Sequence, residues 1–83
     1  MTFSILAHCA ETGRLGMAVT SSSLAVAARC AFARGRVGVV ATQNRTDPTI
    51  GPRLLAALEA GGTIESALEE VIAATAHPSW RQV

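Results

Sequence analysis

An α+β fold, with strands covered on both faces and helices packed beyond them, is the fold class this sequence predicts. Three observations point there. The first half carries short apolar runs separated by turn residues, and the second half carries apolar residues at helical spacing. The runs of the first half are also apolar at successive positions, whereas a strand with one wet face alternates. Buried, layered strands follow.

Residues 2–9 are rich in β-branched and aliphatic side chains, and residues 16–20 form a second short apolar run. Between them Glu11-Thr12-Gly13-Arg14 supplies turn chemistry, with Gly13 able to take a positive φ. A symmetric turn centred on Thr12 and Gly13 sets Leu6 opposite Val19, Ser4 opposite Ser21 and Thr2 opposite Ser23. Hydroxyls then gather at one end of an apolar hairpin. Two readings fit: a solvated strand end, and a polar site built around the start of the chain.

Residues 24–36 are ambiguous. Their alanines favour helix, whereas Val26, Cys30 and Phe32 with flanking Gly35 allow an extended crossing. Residues 37–42 are a clearer strand, running into polar Gln43-Asn44-Arg45. Asp47-Pro48 signals a helix start and Pro52 fits only an early turn. Leu54, Leu55 and Leu58 form its apolar stripe, which Gly61-Gly62 closes. Thr63 caps a second helix, with Ile64, Leu68, Val71 and Ile72 at helical spacing and Glu65, Glu69 and Glu70 on the outer face. His77-Pro78 ends it, and residues 79–83 read as the start of another extended segment.

Composition bounds what such a chain can bury. It has 83 residues, of which sixteen are alanine and only three, Phe3, Phe32 and Trp80, are aromatic. A domain this small buries about 60% of the surface its unfolded chain exposes, and a buried large side chain contributes about 1.5–3 kcal/mol. So light an inventory points to partner surface supplied from elsewhere, as in a fragment or one processed subunit of a longer α/β domain.

Charge and motifs exclude several partners. Seven scattered arginines, no lysine and a net charge of +1 lack the footprint of a nucleic-acid binder. No uncharged apolar stretch reaches the length of a membrane span. The N-terminus lacks the basic region of a signal peptide. Cys9 and Cys30 in apolar surroundings read as two buried thiols of a cytoplasmic protein. With His8 and His77 they match no zinc spacing, so neither a metal nor another cofactor is expected.

One position carries distinctive chemistry. Thr2 follows the initiator methionine and has a small side chain that methionine removal tolerates. Removal leaves a threonine whose own α-amine, with an ordinary pKa of about 7.7–8, lies within reach of its hydroxyl. Nucleophile and general base then belong to one residue.

A resemblance sharpens that reading. The opening Met1-Thr2-Phe3-Ser4-Ile5, the turn Glu11-Thr12-Gly13 followed by Leu15-Gly16, and the strand Val37-Gly38-Val39-Val40-Ala41-Thr42-Gln43 resemble domain of unknown function 1028. So do Asp47-Pro48, Gly51-Pro52 opening the Leu-rich helix, and the closing Arg81-Gln82-Val83. That family is grouped with the N-terminal-nucleophile (Ntn) hydrolases, and the likeness covers only the N-terminal part of its domain. It implies an αββα sandwich and hydrolysis of an amide in a small-molecule or peptide-like substrate. Carried onto this chain, Thr2 is the nucleophile, with Thr42, Gln43 and Asn44 around the oxyanion. Ser4, Ser21 and Ser23 are placed to orient the amine or substrate. The lysine that assists some Ntn branches has no counterpart here, because the chain has none.

Two other readings stand beside the enzyme. One is a non-catalytic Ntn-like scaffold that binds a ligand or assembles into homo-oligomers. The other is an inactive truncated fragment. Residues 1–83 by themselves are expected to be inactive, since the remainder of the domain is the partner that completes the pocket.

Overall fold

The structure is a computed structural model that describes residues 1–45 and 47–83. Its order is β1 (Thr2–His8), β2 (Leu15–Ser21), α1 (Ala27–Cys30), β3 (Ala31–Arg34), β4 (Gly38–Ala41) and β5 (Gln43–Asn44). Then come α2 (Ile50–Glu59), α3 (Ile64–Ala73), a 3-10 turn (Pro78–Trp80) and β6 (Arg81–Gln82). The fold is therefore mixed α and β. Its strands form three antiparallel pairs, β1 with β2, β3 with β4 and β5 with β6.

The hairpin forms where expected, but its register differs from the symmetric-turn expectation by two residues. Thr2 faces Ser21, Ser4 faces Val19 and Leu6 faces Met17. The loop is the cause. Cys9 donates its N–H to the Arg14 carbonyl at 2.9 Å, and Gly13 donates to the Cys9 carbonyl at 2.8 Å. Gly13, at φ 73°, closes the loop instead of sitting at its centre. A two-residue change keeps every side chain on its face, so the hydroxyls remain together with new partners. Cys9, expected to be buried, lies exposed because β1 ends at His8 and leaves it in the loop.

The hairpin has two unlike faces. Thr2, Ser4, Leu15, Met17, Val19 and Ser21 are half-buried toward the rest of the molecule, while Phe3 and Ile5 on the other face are 63% and 67% exposed. The strands are thus apolar on both faces, and one face is uncovered.

The ambiguous stretch splits. One helical turn, α1, buries Cys30, and the chain then extends into β3. Alanine propensity prevails in residues 27–30, and Phe32 then pairs with Val40 in the sheet. Thr42 joins β4 to β5, and its N–H bonds the Cys30 carbonyl at 3.0 Å.

Helix α2 starts at Ile50, later than Asp47-Pro48 suggests. Asp47 Oδ1 accepts from the Thr49 N–H at 2.9 Å and its hydroxyl at 2.6 Å, an Asx-type turn that sets up the helix. At the other end Gly61 takes φ 98°, Gly61 N–H bonds the Leu58 carbonyl and Gly62 N–H bonds the Ala57 carbonyl. That pair of bonds is the Schellman stop. Thr63 caps α3 through a reciprocal box with Ser66.

Helix α2 packs on the β3–β4 sheet, and α3 packs against α2. Val40, Ile50, Leu54, Leu55, Ala67 and Val71 are the core, with Phe32, Val37, Leu58 and Leu68 against it. Gly51 is required by this packing, because a Cβ there would run into the Phe32 ring. Arg34 ties β3 to the end of α2 through an ion pair with Glu59. Ile64, predicted on the apolar stripe, is 66% exposed at its end.

The C-terminal segment is less extended than expected. Pro78 and its two successors form a 3-10 turn before β6 begins. His77 stacks on Trp80 with ring centroids 3.9 Å apart, and the Arg45 guanidinium lies 5.6 Å from the Trp80 ring centre. Arg81 donates to the Arg45 carbonyl at 2.7 Å and to the Ala76 carbonyl at 3.0 Å. These contacts fix β6 beside β5.

Candidate functional site

The start of β1 carries a polar cluster drawn from three strands. Because Thr2 and Ser21 are directly opposed, their side chains share a face and approach closely. Thr2 Oγ1 lies 2.7 Å from Ser21 Oγ, a hydrogen bond between hydroxyls. Ser21 Oγ also accepts the Ser23 backbone N–H at 3.1 Å, which fixes its position.

Gln43 reaches the same place from β5. Its Nε2 donates to the Thr2 carbonyl at 2.9 Å, and its Oε1 accepts from Ser4 Oγ at 3.2 Å. One side chain thereby holds two alternate residues of β1, about forty positions earlier in the chain. The backbone of Gln43 is itself fixed by pairing with Gln82.

The structure thus brings together Thr2, Ser4, Ser21 and Gln43, with Ser23 attached through its backbone. Thr42 stands elsewhere: it is buried, and its hydroxyl donates to the Arg29 carbonyl at 3.3 Å. Asn44 is exposed, with φ 71°, and pairs with Arg81. A two-residue periodicity explains the division, since Gln43 and its two neighbours in β5 and the preceding link cannot all face β1.

Met1 is fully exposed ahead of Thr2, whereas Thr2 is half-buried. Met1 is not among the partners of the cluster's side-chain hydrogen bonds. An α-amine freed there shares its Cα with the hydroxyl-bearing Cβ, next to Ser21. That arrangement sets the Thr2 hydroxyl beside the Ser21 hydroxyl and two carbon atoms away from its own α-nitrogen.

The family model for DUF1028, described as a family of unknown function, matches residues 2–83. The chain belongs to DUF1028. No curated protein and no solved structure matches it. In this DUF1028 chain two of the motifs that carried the resemblance meet spatially: the opening strand and Gln43 join one cluster with the end of β2.

Around the cluster other features have other roles. No group of three or more His, Cys, Asp or Glu able to hold a metal occurs among the described residues. None of the described helices is long and apolar enough to cross a membrane. The Cys9 thiol is held below its usual pKa by a hydrogen bond from the Thr12 side chain, at the far end of the hairpin. A groove of about 590 Å³ adjoins the cluster, lined by Ser4, Leu6, Val39, Gln43, Leu58 and Leu68 among others. The sequence reading missed it. Its one signal was Ile64, an apolar residue at the edge of the α3 stripe with nothing assigned to cover it.

Proposed function

We propose that this DUF1028 chain is part of an Ntn-type hydrolase that cleaves an amide in a small-molecule or peptide-like substrate. Thr2, made N-terminal by loss of Met1, is the nucleophile. In this reading the fold belongs to an αββα sandwich of which residues 1–83 are the N-terminal part.

The observation that carries the proposal is the fixed geometry of Thr2. Its hydroxyl is bonded to Ser21 and its carbonyl to Gln43, so both ends of the residue are positioned by side chains. A residue with only a strand's role needs neither contact. Positioning of this kind converts a weak nucleophile into an effective one by removing orientational freedom.

The chemistry balances as follows. Thr2 Oγ attacks the amide carbonyl carbon while its proton passes to the Thr2 α-amine. The tetrahedral intermediate collapses, the C–N bond breaks, and the α-ammonium returns the proton to the leaving amine. Water then attacks the resulting ester on Thr2, releasing a carboxylic acid and the free hydroxyl. Ser4 and Ser21 line the side from which substrate approaches, and Gln43 holds the strand.

Intact mass is the first test. Loss of Met1 is expected, followed by a single adduct on Thr2 when the complete domain is treated with a β-lactone. Retained Met1 blocks the amine and leaves the non-catalytic scaffold as the better account.

A further inference from the structure

The hydroxyl protons around Thr2 can be assigned from the bonds they make. Ser4 Oγ gives its proton to Gln43 Oε1 at 3.2 Å, and Thr42 Oγ1 gives its own to the Arg29 carbonyl at 3.3 Å. Neither is available to the nucleophile. Ser21 is different. Its Oγ has two partners among the described residues, the Ser23 N–H, which can only donate, and Thr2 Oγ1. A hydroxyl carries one proton and two lone pairs. Among the described residues, the acceptor for the Ser21 proton is therefore Thr2 Oγ1.

Strand geometry places the Thr2 nitrogen on the opposite side. The bond from the Cys9 N–H to the Arg14 carbonyl makes those two a hydrogen-bonded pair, so along the same register Thr2 and Ser21 form a pair of the other kind. In such a pair the Cα atoms come within about 4.5 Å and the side chains approach closely. The backbone N–H and C=O groups turn away from the partner strand. The Thr2 carbonyl does so, accepting from Gln43 Nε2 at 2.9 Å. The Thr2 N–H turns the same way. Ser21 thus meets the Thr2 hydroxyl on the side away from the Thr2 nitrogen.

We infer that Ser21 is the donor in its bond to Thr2, and that it acts on the nucleophile oxygen as a second catalytic residue. The inference rests on the reading of Thr2 as nucleophile. With Met1 gone, the Ser23 N–H, the Ser21 O–H and the Thr2 O–H run head to tail and end on the Thr2 α-amine. A hydroxyl that accepts one bond donates the next more strongly. As Thr2 Oγ attacks the amide carbonyl carbon, its proton passes to the amine. Ser21 keeps its own proton, and its bond to Oγ strengthens as negative charge develops there. In the second half-reaction water gives a proton to the amine and the ester C–O bond breaks. The ammonium then returns a proton to Oγ, and Ser21 bonds the leaving oxygen in the same way. The opposite polarity, with Thr2 donating to Ser21, aims the nucleophile's proton away from its base.

The test measures acylation of Thr2 by a β-lactone in the complete domain after loss of Met1, followed by intact mass. Ser21→Ala should slow adduct formation about tenfold, and Ser21→Thr, which keeps the donor, should restore it to within about twofold of native. Ser21→Cys, close in size but a weak donor, should fall between them. Equal or faster acylation of Ser21→Ala overturns the inference, a faster rate showing that Ser21 had drawn the Thr2 proton from the amine. Ser21→Thr as slow as Ser21→Ala also overturns it, because the effect is then one of packing. No Thr2 adduct in the native domain removes the nucleophile reading itself and this inference with it, so the two failures are told apart.

Discussion

Thr2 and Ser21 sit directly opposite each other across β1 and β2, with their hydroxyl oxygens 2.7 Å apart. The pairing joins the first residue of β1 to the last of β2, so the proposed nucleophile is held by the strand that returns from the hairpin loop. Loop closure by Gly13 therefore decides which serine Thr2 meets.

Replacing Ser21 by alanine should leave the hairpin formed and remove the partner of the Thr2 hydroxyl. The stability cost is about 0.5–1.5 kcal/mol, that of one ordinary hydrogen bond. In the complete domain the turnover number should fall roughly tenfold with KM nearly constant, because about 1.4 kcal/mol of positioning is lost in the transition state. Steady-state kinetics beside urea unfolding separate the two effects.

Gln43→Leu keeps the volume and deletes both bonds to β1. The Thr2 carbonyl and Ser4 hydroxyl then lose a half-buried partner, which costs about 1–3 kcal/mol. Thermal unfolding should show that loss. Gln43→Glu should do no better, because its carboxylate repels the Thr2 carbonyl.

Gly51→Ala tests the contact between α2 and β3. Alanine in a helix gains about 0.5–1 kcal/mol over glycine, but overpacking against Phe32 costs about 1–3 kcal/mol. The clash should win, giving a lower melting temperature. Adding Phe32→Leu should restore part of it, so the double variant is more stable than the sum of the single effects implies.

The Asp47 carboxyl is held below its ordinary pKa, first by the Thr49 hydroxyl and then by the Thr49 N–H. The folded state therefore binds this proton less readily than the unfolded state, whose value is about 3.9. Its stabilisation is complete above that pH and is lost as pH falls through the lower folded value. The melting temperature should drop across that acid range, and Asp47→Ala should reduce the drop while lowering stability at neutral pH.

Much of this fold was legible in the residues. The hairpin, the Gly61-Gly62 stop and the Thr63 cap each rest on local chemistry, and each appears, whereas Asp47 does not cap α2 but bonds Thr49 ahead of a helix that begins at Ile50. The register was not legible, because the role of Gly13 as the closing residue of a four-residue loop depends on the bonds that Cys9 makes to Arg14 and to Gly13. The site was half legible. Thr2, Ser4, Ser21 and Gln43 converge, whereas Thr42 turns inward to Arg29, a long-range choice that strand periodicity allows but composition does not show. The groove was invisible, since it arises from the spacing between β4, β1 and the helices.

Replacement of Thr2 in the complete domain decides the central claim most directly, with hydrolysis of an acyl anilide panel as the readout. Thr2→Ser should retain a measurable rate, since serine keeps hydroxyl and amine on one residue, and Thr2→Ala should abolish turnover while leaving the fold and the mass of the processed chain otherwise unchanged. Turnover by the alanine variant at the native rate would contradict the account.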